Sequence, residues 1–126
     1  MRILVIMLIL LGVIFAFATV MNNKTVEISD DLLITLKEVR DSVENEQWNK
    51  ADDNLDSLRD QWERADDFWT PFMDHREVDM LEESIVRISS FVEENQKEDA
   101  LAEINVAINM VERLRNREGP NIENIL

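Results

Sequence analysis

Cysteine is absent from the 126-residue chain, and glycine and proline occur only twice each. Without cysteine there can be no disulfide framework, no thiolate nucleophile and no cysteine-ligated zinc or iron–sulfur site. So few turn-forming residues exclude a many-stranded sandwich or barrel, where turns recur about every eight to twelve residues. Basic residues are scarce as well: 13 Lys and Arg stand against 27 Asp and Glu, for a formal charge of −14. That balance argues against nucleic acid as a partner, because phosphate binding needs clustered Lys and Arg to release counterions. Histidine is down to His75. It has no cysteine and no G-x-S-x-G turn to work with, and one histidine cannot supply the paired Glu-x-x-His motifs of a di-iron bundle. No catalytic, cofactor-binding or metal residue is assigned, and the chain is read as a non-enzyme. The doublets Asp30-Asp31, Asp52-Asp53 and Asp66-Asp67 could attract calcium, but neighbouring helix side chains diverge by about 100° and none sits in a Gly-containing acidic loop. Solvated helix faces are their expected fate.

What the chain does have is one long apolar run. Ile3 to Met21 reads ILVIMLILLGVIFAFATVM, without a charge. As a helix it would cover about 29 Å, close to the hydrocarbon thickness of a bilayer. Ala16-Phe17-Ala18 has the small-x-small form that signal peptidase accepts. The run nevertheless continues past it to Met21, and its charged flank is Arg2 alone, which favours a retained anchor over a cleaved signal peptide. Arg2 on one side, against Lys24 and then Lys37 on the other, orients the N-terminus inward under the positive-inside rule. Residues 22–126 would then lie outside the cytoplasm with a charge of −15. Anionic headgroups should repel such a domain, leaving the anchor to hold it at the membrane.

Beyond a linker, Asn22–Ile28, four amphipathic stripes follow. Ser29 reads as an N-cap with Asp30 and Asp31 in the first turn, opening a helix striped by Leu32, Leu36, Val39 and Val43. After a polar break at Glu44–Gln47 comes the longest stripe: Trp48, Ala51, Leu55, Leu58, Trp62, Ala65 and Trp69. Thr70-Pro71 should end that helix and start the next, which carries Val78, Leu81, Ile85, Ile88 and Val92. The fourth has Ala100, Ile104, Ala107, Val111 and Leu114, widened by Leu101, Ala102, Val106, Ile108 and Met110, and is expected to be the most buried. Arg113, Arg115 and Arg117 suit its C-terminal end, and Gly119-Pro120 stops it.

An offset of 49 residues superposes the first two stripes on the last two. The shared breaks carry more weight: Val43-Glu44-x-x-Gln47-x-x-x-Ala51 recurs as Val92-Glu93-x-x-Gln96-x-x-x-Ala100. The expected architecture is therefore all-α: an N-terminal transmembrane helix (1–21, anchor or signal peptide), the linker 22–28, and an antiparallel four-helix bundle (29–118) built from two αα-hairpins. An apolar tail, 119–126, completes it. Ile122, Ile125 and Leu126 make that tail too apolar for a disordered one. Together with Trp69 and Phe72, at the end of the second helix, they are the expected partner contacts.

The anchor-plus-helices layout, the Trp48-x-x-Ala51 and Trp62 seam, the broad last helix and the closing Asn124-Ile125-Leu126 resemble the family of domain of unknown function 4363. The resemblance implies a Gram-positive, membrane-anchored protein. It also points to a membrane partner, because genes of that family accompany small multi-pass membrane proteins of the YetF type. It carries over no catalytic residue. The function expected from the whole reading is a non-catalytic extracytoplasmic module that binds another envelope or integral membrane protein. Two alternatives remain: a small-ligand sensor bundle acting through a membrane partner, and a secreted helical protein released after Ala18.

Overall fold

A computed structural model describes residues 1–71 and 73–117. They form four helices, α1 (Arg2–Glu44), α2 (Trp48–Trp69), α3 (His75–Glu93) and α4 (Lys97–Arg117), with no strand among the described residues. The first helix differs most from expectation. It runs unbroken through 43 residues, so Asn22–Ile28 is helix and Ser29 caps nothing. Residues 1–20 are exposed throughout, and α1 is long and apolar enough to cross a membrane. Its second half turns into core: Thr25, Ser29, Leu32, Leu36, Val39 and Val43 are buried at steps of four, three, four, three and four. Extending an existing helix costs far less than nucleating a new one, and a seven-residue stretch with five polar side chains does not interrupt the ladder once both flanks are helical.

The connections α1–α2 and α3–α4 are built alike. Glu46 and Asn95 both take φ 56°, the left-handed region. The amides of Glu46 and Gln47 donate to the carbonyls of Val43 and Ser42, at 3.0 and 2.8 Å. Those of Asn95 and Gln96 donate to Val92 and Phe91, at 3.1 and 2.8 Å. Both are Schellman closures, which satisfy the last helical carbonyls by 5→2 and 6→1 bonds. The 49-residue offset thus holds at the level of individual backbone bonds. Neither left-handed position has a glycine, so each carries a conformational cost, larger for Glu46 than for Asn95 because asparagine tolerates that region better. Glu46→Gly should raise the unfolding free energy by about 0.5–1 kcal/mol, after allowing for the looser unfolded chain, and Asn95→Gly by less. Urea titration of the two variants checks both the sign and the order; unchanged or lowered midpoints would mean that neither turn is strained.

Between α2 and α3 the chain turns through Thr70–Asp74. Thr70 Oγ1 donates to the Asp66 carbonyl at 2.6 Å. Asp74, rather than Pro71, starts α3: its Oδ1 accepts the Arg76 amide at 2.9 Å, the usual service of an aspartate N-cap.

All four stripes converge on one core. α1 packs on α2 and α4, and α3 packs on the same two helices, with α2 and α3 the least closely joined of the four pairs. Every stripe residue from Leu32 to Leu114 named above is buried except Trp48, which is half-buried against the core. α4 buries Ala100, Ile104, Ala107, Ile108, Val111 and Leu114, while Ala102 and Val106 are exposed. It is therefore no more buried than α2, contrary to the breadth of its apolar sequence; alanine is as much a helix former as an apolar residue. Polar ties bind the helices across their rims. Asn54 Nδ2 donates to Ser42 Oγ at 2.9 Å, and both Ser84 Oγ and Arg87 Nε donate to Glu103 Oε1 at 2.9 Å. From α1 and the turn after it to α4 the ties are Asp30 with Arg115 at 2.8 Å, Arg40 with Asn105 at 3.4 Å and Glu46 with Lys97 at 3.8 Å. These pairs are largely solvent-exposed, so each adds little stability but fixes register.

Candidate functional surface

Trp69, expected as a partly exposed contact, is fully buried. The three-and-four register that buries Trp62 and Ala65 carries on to residue 69. The two indoles meet edge to face with ring centroids 6.3 Å apart, a favoured aromatic geometry. Trp69 is thus core, and any contact at this end must be made by its neighbours. Phe72, Ile122, Ile125 and Leu126 lie outside the described residues.

Buried polarity gathers where α1 enters the bundle and along α2. Asn22 Oδ1, Ser29 Oγ, Gln61 Oε1 and the indole nitrogens of Trp62 and Trp69 have no hydrogen-bond partner among the described residues. An unpaired buried donor or acceptor costs about 1–3 kcal/mol. This region therefore holds the core's energetic weak points. Among the described residues no group of three or more His, Asp or Glu side chains is placed to hold a metal ion. His75 is the exposed first residue of α3.

Outside the anchor, the exposed large apolar side chains are Ile34, Met80, Val86 and Val106 among the described residues. Two of them border grooves. Val86, 59% exposed, lies in a groove of about 330 Å³ between α2 and α3, with Trp62 and Ile85 as its floor and Glu63, Glu82 and Glu93 on its rim. Arg59, on the same rim, is paired with Asp56 at 3.3 Å. An apolar floor ringed by carboxylates suits an amphipathic helix whose apolar stripe is flanked by Lys or Arg. The second groove, of about 280 Å³, is lined by Met80 and Arg76 near the start of α3 and by Met110, Arg113 and Leu114 near the end of α4, with Asp74 and Glu77 alongside.

Neither groove follows from the core stripes, yet each left a trace in the sequence. Val86 and Met80 fall off the register 78, 81, 85, 88, 92, as large apolar residues on an otherwise polar helix face. Such out-of-register residues signal a surface rather than a core. The family model of a domain of unknown function, DUF4363, matches residues 19–125. No curated protein and no solved structure shows a significant match to the chain.

Proposed function

We propose that this chain, which belongs to the DUF4363 family, is a single-pass, membrane-anchored interaction module without catalysis of its own, binding an integral membrane or envelope protein outside the cytoplasm. The observation that carries the reading is α1: one unbroken helix whose apolar half is exposed and long enough to cross a membrane, and whose other half is a wall of the bundle. Such a helix fixes the bundle at the membrane surface with no flexible linker. Arg2 sets the orientation, under the positive-inside rule.

The bundle itself is proposed as antiparallel and made of two duplicated hairpins. Support comes from the ties to α4, in which rising numbers along α1 and the turn after it (30, 40, 46) meet falling numbers on α4 (115, 105, 97). The two matching Schellman turns, 49 residues apart, add to it.

The partner's docking element is proposed to be a basic amphipathic helix seated between α2 and α3, over Trp62, Ile85 and Val86. These two helices meet least closely, so a fifth helix can lie along their seam. A photo-reactive amino acid at position 86 of the full-length protein, activated in intact cells, should yield a membrane-protein adduct that position 34, equally apolar and exposed, does not. The adduct should fade between 0.1 and 1 M salt as the Debye length falls from about 10 to about 3 Å. Equal adducts at both positions, or none at 86, would refute the groove as the contact.

A further inference from the structure

We infer, on the partner-binding reading above, that the helix seated between α2 and α3 is the outward continuation of a transmembrane helix of the partner, running alongside α1 and basic where it meets the seam. The duplication supplies an internal comparison. On α1 the tied residues Asp30 and Arg40 share a strip with Leu33, and on α4 Asn105 and Arg115 share one with Leu101 and Ile108, all at helical spacing. Leu33 and Ile108 are buried and Leu101 is half-buried against the core, so apolar side chains close this contact beside an ion pair. The 49-residue offset puts Glu82 in the place of Leu33, Asp52 in that of Leu101 and Arg59 in that of Ile108. It also replaces the pair Asp30–Arg115 by two acids, Asp79 and Asp66. Charges in place of apolar closures resist burial, and like charges in place of an ion pair repel. The seam between α2 and α3, the least closely joined pair, is thus short of cations, and a helix from outside can bring them.

The length of α1 decides which part of a membrane protein can reach the seam. Met21 ends the apolar run, and α1 continues from it into the bundle without a break. Glu103 of α4 accepts from Ser84 and Arg87 of α3 at 2.9 Å, and Asn105, half a turn away, accepts from Arg40 of α1 at 3.4 Å. Val86 is therefore about level with Arg40, nineteen residues past Met21, or about 28 Å along a helix. The headgroup layer takes up about 6 Å of that height and leaves Val86 about 20 Å clear of the membrane surface. A short loop between two membrane spans does not rise so far. The groove runs lengthwise along α3, from Glu82 to Glu93, and helices of such a bundle lie within about 20° of one another. A helix seated in it is thus nearly parallel to α1 and points at the bilayer. A transmembrane helix that stays helical for about 15 residues past its apolar span enters the groove at Glu82, and one that continues for about 25 covers it to Glu93. α1 is itself built this way. Anchorage in the same membrane also raises the effective concentration of that helix at the seam, so a contact of modest intrinsic affinity suffices.

Mapping the partner residue joined to position 86 tests this in the full-length protein in intact cells. Mass spectrometry of the adduct should place that residue about 20 residues beyond an apolar run of membrane-spanning length, in a segment with Lys or Arg and no proline between. A second measurement uses α1 as a ruler. The helical insert Glu-Ala-Ala-Ala-Lys-Ala-Ala between Asn23 and Lys24 raises the bundle by about 10 Å in nearly the same helical phase, and the near-ultraviolet dichroism of its tryptophans reports whether the bundle keeps its fold. The joined residue should then move about seven residues farther from the partner's apolar run, along the same helix. A joined residue remote from any apolar run overturns the inference and leaves the groove as the contact. The same partner residue before and after a folded insertion does so too, because it assigns the docking helix to a domain free to follow the groove. If the insertion unfolds the bundle, the map from the unlengthened chain decides alone. No adduct at 86, or equal adducts at 86 and 34, removes the docking site and the inference with it.

Discussion

Replacing Trp69 with alanine should lower the unfolding free energy of the helical domain by about 3–5 kcal/mol, the usual range for emptying a buried tryptophan site. The ring is fully buried and stacked edge-on against Trp62. It sits at the last residue of α2, and a packed core relaxes only partly into the space left behind. Trp69→Phe should cost much less, under about 2 kcal/mol. It keeps an aromatic ring and removes an indole N–H that has no partner among the described residues, which offsets part of the lost packing. Trp48→Ala, at a half-buried site, should also fall below Trp69→Ala. Urea unfolding of the full chain in detergent, followed by near-ultraviolet dichroism, ranks the three. A loss near zero at Trp69 would return that side chain to the surface and restore it as a contact residue.

Trp69 also shows what a sequence reading can and cannot see. Its burial was available from register alone, since 55, 58, 62, 65 and 69 alternate three and four without a miss; its place at a helix end, among Phe68, Pro71 and Phe72, suggested exposure instead. Register prevailed because α2 keeps its helical phase to its last residue. The N-terminal half of the bundle misleads in the opposite way. Thr25 and Ser29 continue the stripe 32, 36, 39, 43 at the correct steps, but they are polar, so hydropathy ends the stripe at Leu32 and leaves a linker in its place. Their burial follows from α1 being continuous with the anchor, a long-range fact that no local propensity carries. The turns were legible because two polar breaks matched. Their left-handed residues were not, because glutamate and asparagine give a weaker signal than glycine there. The grooves depend on which helices meet least closely, and that is a tertiary property altogether.

The anchor should tolerate one buried charge and fail with three. Thirteen Ile, Leu, Val and Phe residues lie between positions 3 and 20. At about −0.3 to −0.6 kcal/mol each, they favour insertion by about 4–8 kcal/mol. A single Leu11→Arg, near the centre of the span, costs about 3 kcal/mol plus the lost leucine, so the balance stays on the side of insertion. The triple variant Leu8→Arg/Leu11→Arg/Ile14→Arg costs about 10 kcal/mol by the same count and reverses it. After alkaline carbonate extraction, the single variant should remain with the membrane pellet and the triple variant should leave it. The N-terminus of the retained protein should precede Thr19. Residues 16–19 lie inside α1, and Thr19 Oγ1 donates to the Phe15 carbonyl at 3.0 Å, whereas proteases generally bind their substrates as extended strands. A C-terminal tag should be removed by protease added to wall-stripped cells, as the inward bias of Arg2 requires. A mature chain starting at Thr19 would make residues 1–18 a signal peptide. A wild-type chain extracted as readily as the triple variant would mean that the apolar half of α1 is covered by protein instead of lipid.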